Sequence, residues 1–87
     1  MKVNDIDKIE RIPLAIDYRR MYRGEARISV GDSSHSTSPI EFVLELSPYG
    51  SQQVTISFLE STDYPIVPAM KLLKEHIREL DRSGVLP

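Results

Sequence analysis

Apolar and polar residues alternate with period two in four stretches of the chain. Ile12, Leu14, Ile16 and Tyr18 fall on one side of the first, with Pro13, Ala15, Asp17 and Arg19 opposite. Ala26, Ile28 and Val30 mark the second, Ile40, Phe42, Leu44 and Leu46 the third, and Val54, Ile56 and Phe58 the fourth. Such alternation predicts strands with one buried and one wet face, the habit of antiparallel sheets. The gaps between them are too short for parallel crossovers, which take a dozen or more residues. Gly24, beside Arg23, and the run Ser47-Pro48-Tyr49-Gly50-Ser51 supply turn chemistry. The simplest topology is a meander in the order 1-2-3-4 over residues 11–60.

The last third changes period. Ile66, Met70, Leu73, Ile77 and Leu80 recur at spacings of four and three, one stripe of an amphipathic helix over 63–83. Asp63 is the expected N-cap, Pro65 and Pro68 suit a first turn, and Gly84 suits the C-terminal cap. Glu75–Arg78 and Glu79–Arg82 are spaced to pair on the outer side. The fold class is therefore α+β: a four-stranded antiparallel sheet with a C-terminal helix on its apolar face.

Residues 1–10 form an N-terminal segment in which Val3, Ile6 and Ile9 allow a short helix capped by Asn4. Residues 32–38, Asp32-Ser33-Ser34-His35-Ser36-Thr37-Ser38, hold no apolar side chain and read as a mobile loop.

Four strands spaced about 4.8 Å make a flat sheet roughly 15–19 Å wide, while a helix is about 10–12 Å across. Part of the apolar face is then left open. The N-terminal segment, the tail residues Val85 and Leu86, or a second copy of the chain could close it. The fourth strand, residues 53–59, is an expected sheet edge with no Lys, no Pro and no charge before Glu60. Natural edges are usually guarded, so this one suggests pairing with a protein partner or a homodimer mate.

Eighty-seven residues allow one domain. The absence of cysteine excludes disulfides, thiolate zinc sites and thiol nucleophiles. No apolar run is long enough to span a membrane. Without a secretory leader, a cytoplasmic location is expected.

The densest chemical feature is the strip Tyr18, Arg19, Arg20, Tyr22, Arg23 and Arg27. Arginine forks bind phosphate and tyrosines stack on bases, so the strip is the candidate nucleic-acid or phospholigand site. Against it stands a net charge of −2, which disfavours a protein built to neutralise phosphate. Arg19-x-x-x-Arg23 followed by Asp32-x-Ser34 resembles a fragment of the PilZ cyclic-dinucleotide motif. Thr37 stands where that motif has glycine, and the chain is short for a barrel plus helix, so that family's function is not carried over.

His35 in a serine-rich loop lacks the rigid orienting group that a nucleophile–base pair needs. His76 lies between apolar helix neighbours rather than ligands. Asn4, Asp5 and Asp7 lack the following glycine turn and glutamate of a calcium loop. Glu41 and Glu45 point to an open wet face, where carboxylate pKa values are hard to shift. The sequence thus points to a non-catalytic interaction or self-association module, with no cofactor and no metal, and with phospholigand binding as the alternative.

Overall fold

The computed structural model describes residues 1–31 and 34–87. The order is β1 (Lys2–Ile12), β2 (Arg19–Val30), β3 (Ser34–Leu46), β4 (Gln52–Phe58) and α1 (Ile66–Arg82). All neighbouring strands are antiparallel, in one sheet ordered β1-β2-β3-β4. The α+β class, the meander and the C-terminal helix stand as expected.

The first two strand positions need correction. The N-terminal segment is not a helix but an eleven-residue edge strand. Its apolar residues lie three apart because two one-residue register shifts interrupt the pairing, between Val3 and Asp5 and between Asp7 and Glu10. Each inserted residue resets the inside–outside alternation. Val3, Ile6 and Ile9 therefore share the core side although period two would separate them. Lys8, at φ 54°, sits in the second irregularity.

Residues 12–18 are correspondingly not a strand beyond Ile12. Pro13 has no N–H to offer a ladder, and 13–18 becomes the connection from β1 to β2. Gly24 is not a turn residue but lies mid-strand in β2, opposite the β1 irregularity. Residues 34–38 are not a loop: they pair with β2 as the start of β3, His35 opposite Ser29 and Ser38 opposite Ala26. A strand needs only its backbone ladder satisfied, and this polar stretch faces a partner that supplies it. Asp32 and Ser33 of the expected loop lie outside the described residues.

The helix is close to expectation, with shifted details. Pro65, not Asp63, is the N-cap residue, and it makes no side-chain cap bond. The buried stripe is Ala69, Leu73 and Ile77, while Ile66 is exposed. At the far end Gly84, at φ 72°, ends the helix. Its N–H donates to the Asp81 carbonyl (3.1 Å) and that of Val85 to Leu80 (3.2 Å), the paired bonds of a Schellman ending.

The core joins Ile6, Tyr22, Ala26, Ile28, Ile40, Phe42, Leu44, Val54, Ile56 and Tyr64 to the helix stripe. The anticipated gap does not exist. Ile28, Ile40, Phe42 and Leu73 are fully buried within one chain. A flat platform is the wrong picture, because the helix backbone comes closest to the two edge strands, β1 and β4, rather than to the central pair. The twisted sheet curls round the helix as a trough. The tail completes the cover: Leu86 packs on the core, and the Tyr22 hydroxyl donates to a Pro87 carbonyl oxygen at 3.0 Å.

One polar bond lies inside. Ser38 Oγ and Tyr64 Oη are 2.6 Å apart, both residues buried. Tyr64→Phe removes one partner and leaves the other dry, which costs about 1–3 kcal/mol. Ser38→Ala added to Tyr64→Phe should recover most of that loss in urea titrations, since neither orphan then remains.

Candidate interaction site

Strand pairing sorts the arginine strip by parity. Arg19, Arg23 and Arg27 point to the outer sheet face, whereas Arg20 and Tyr22 point inward. Tyr22 is buried, stacked on Phe42 with ring centroids 5.1 Å apart. Arg20 reaches the helix: its Nη2 donates to Asp81 Oδ1 at 2.8 Å and its Nη1 to the Tyr22 hydroxyl at 3.3 Å. Asp81 holds the Arg20 guanidinium above its ordinary pKa. This bond ties the C-terminal turn of α1 to β2.

On the outer face Arg23 Nε donates to Glu41 at 2.9 Å, its neighbour in register. Arg27 forks onto both carboxylate oxygens of Asp5. Three of the strip's four arginines are thus held by carboxylates of the same chain. Arg19 faces Glu45 across the β2–β3 ladder. The six strip residues do not converge on one surface.

The Asp5–Arg27 pair has a pH signature. The hydrogen bond from Arg27 holds the Asp5 carboxyl below its ordinary 3.8. A carboxylate with a depressed folded pKa stabilises the fold above about pH 4, and that contribution fades as pH falls through the folded value. Arg27→Gln should move the Asp5 carboxyl midpoint upward, as followed by carboxyl-carbon NMR. The pair is exposed, so thermal stability at neutral pH should change little.

The histidines are part of the scaffold. His35 Nδ1 lies 3.1 Å from Ser29 Oγ, which also accepts from Asn4 Nδ2 at 2.7 Å. All three are cross-strand neighbours on an exposed face. His76 is half-buried on α1. Among the described residues no three His, Cys, Asp or Glu side chains converge as a metal site. No described helix is long and apolar enough to cross a membrane.

A different feature stands out at the end of the sheet where the 13–18 connection meets the β3–β4 turn. There Tyr18, Glu45, Leu46, Ser47, Pro48, Tyr49, Ser51 and Gln53 line an open cleft of about 780 Å³. The two walls are tied together by the Leu46 N–H donating to the Tyr18 carbonyl at 3.0 Å. The turn is held by its own bonds. Gly50 N–H donates to the Ser47 carbonyl at 3.0 Å, and Ser47 Oγ accepts from the N–H groups of Tyr49 (3.3 Å) and Ser51 (3.2 Å). Pro48 presets the first corner, and Gly50, at φ 84°, takes the left-handed position that closes a three-residue hairpin. Tyr49 is carried on the tip, 96% exposed, with Tyr18 at 59% and Leu46 at 52%.

Tyr18 belonged to the strip read from the sequence, but Tyr49, Leu46 and Glu45 did not enter it. A Ser-Pro-Tyr-Gly-Ser turn is legible as a turn. That its tyrosine stands beside Tyr18 follows only from the register of β2 on β3.

The model of the BB_0187 family matches residues 1–82. No curated protein matches the chain. No solved structure matches it either.

Proposed function

The chain belongs to the family whose model covers residues 1–82, and for it we propose a non-catalytic role, a protein-interaction module whose contact surface is the cleft end of the sheet. The observation that carries this reading is Tyr49, almost wholly in water on a hydrogen-bonded turn beside Tyr18 and Leu46. Leu14 and Ile16, both exposed in the 13–18 connection, add apolar surface next to Tyr18 in the chain. Scattered apolar residues are ordinary on a surface, but grouped ones mark contact sites. A rigid tyrosine loses little conformational freedom on binding.

The uncharged edge at residues 53–59 supports the reading less than its sequence suggests. β4 is an edge strand. The Leu59 N–H donates to the Pro39 carbonyl, so by antiparallel alternation the odd-numbered residues bond β3 and the even-numbered ones face outward. Those even residues include Val54 and Ile56, only 5% and 4% exposed with α1 alongside. The helix, rather than charge, guards this edge.

End-on self-association is also disfavoured. The molecule measures 41 × 23 × 22 Å. An end of 23 by 22 Å is smaller than the roughly 800 Å² each partner gives to a standard interface. A segment of another protein lying in the cleft needs no such area. The nucleic-acid alternative finds less support, because three strip arginines already hold carboxylates.

Photo-crosslinking tests the proposal. With a benzophenone amino acid at position 49, irradiation in the native host should give discrete protein adducts. The same group at Thr55, on the outer face of β4, should give none. Sedimentation should show a monomer at hundreds of micromolar. A dimer crosslinked from position 55 would transfer the contact to β4 and overturn the cleft assignment.

A further inference from the structure

We propose that the cleft receives an arginine side chain from an extended segment of the partner, its guanidinium against the rings of Tyr18 and Tyr49 with Glu45 as counter-charge. This rests on the interaction reading above and names its chemistry.

The charge pattern carries it. Along the sheet and helix, carboxylates are matched to cations: Asp5 to Arg27, Glu25 to Lys8, Glu41 to Arg23, Asp81 to Arg20 and Glu79 to Arg82. Glu45 is the single charged residue in the cleft wall. It is half-buried, and no cation of the described residues lies within ion-pair distance of it. Arg19, its neighbour across the ladder, does not close on it. The wall around it is apolar and aromatic, from Tyr18, Leu46, Pro48 and Tyr49.

A planar, weakly hydrated cation suits this combination. Guanidinium stacks on aromatic faces and forks onto carboxylate, whereas ammonium does neither as well. The Tyr18 and Tyr49 rings do not stack on each other, the aromatic pairs among the described residues being Tyr22–Phe42 and Phe58–Tyr64. A cleft of about 780 Å³ exceeds one side chain and leaves room for the flanking backbone. The Gln53 amide on the opposite wall offers both a donor and an acceptor to that backbone.

The test titrates the full chain by NMR with the peptide acetyl-Gly-Ser-Leu-Arg-Leu-Ser-Gly-amide, its citrulline counterpart, and arginine amide alone. The arginine peptide should shift the Tyr18 and Tyr49 ring signals and bind about tenfold tighter than the citrulline peptide. Glu45→Gln should erase that preference, and Tyr49→Ala should weaken both peptides. Equal binding of the two peptides, no binding of either, or a preference that survives Glu45→Gln overturns the proposal. Arginine amide binding as tightly as the peptide also overturns it, in favour of a free small cation. Adducts from position 49 that persist after such a failure leave the interaction module standing without its arginine. Loss of the adducts removes the module itself.

Discussion

Phe42→Ala is expected to cost about 3–5 kcal/mol, the range for removing a fully buried aromatic ring. Phe42 sits at the centre of β3, is fully buried, stacks on Tyr22 across one ladder and lies opposite Ile56 across the other. Neighbours on both sides belong to strands fixed in register, so the void cannot close by moving one side chain. A chain of this size holds only about 4–13 kcal/mol in total. The variant should therefore be largely unfolded at room temperature or have a urea midpoint less than half that of the parent. Tyr49→Ala, on the surface, should stay within about 0.5 kcal/mol. That pair of measurements separates the residue that holds the fold from the residue proposed to meet a partner.

Gly24→Val is the second large effect. A Cβ at Gly24 would lie 2.9 Å from Ile6 Cγ2, 3.2 Å from the Asp7 carbonyl oxygen and 3.3 Å from Ile9 Cγ1. Side chains can move, but the Asp7 carbonyl belongs to the backbone beside the β1 irregularity. Valine adds two further carbons to that clash, so a loss near or above the usual range of about 1–3 kcal/mol for overpacking follows. Gly24→Ala should cost less. Combining Gly24→Ala with Ile6→Ala should cost less than the sum of the single changes, because the nearest clash is then gone. Amide exchange in β1 should rise in Gly24→Val before it rises in β4, since the disturbance enters at the β1–β2 ladder. Uniform loss of protection would contradict that local origin.

Legibility differed among the elements for definite reasons. β3 and β4 were readable because their alternation is unbroken from Ile40 to Leu46 and from Val54 to Phe58. The helix was readable through Leu73 and Ile77, but Pro65 displaced Asp63 as N-cap and Ala69 displaced Ile66 in the buried stripe. β1 was not readable, since two inserted residues gave its apolar positions a spacing of three. Ser36 and Thr37 looked like loop because polarity says nothing about pairing when the partner strand supplies the ladder. The Tyr/Arg strip looked like one surface because adjacency in sequence conceals the two faces of a strand.

The local character of the chain was written in short-range chemistry: where backbone is extended, where it coils into a helix, and where Pro48 and Gly50 turn it. These follow from nearest neighbours and from side chains within one turn or one pleat. Which carboxylate takes which arginine, how far the sheet curls round its helix, and that Tyr18 and Tyr49 frame one cleft with Glu45 were set by strand register. Register depends on residues far apart in the chain, and one inserted residue reverses the facing of everything beyond it. The fold class was therefore within reach of local patterning, while the site came into being only when the strands were laid side by side.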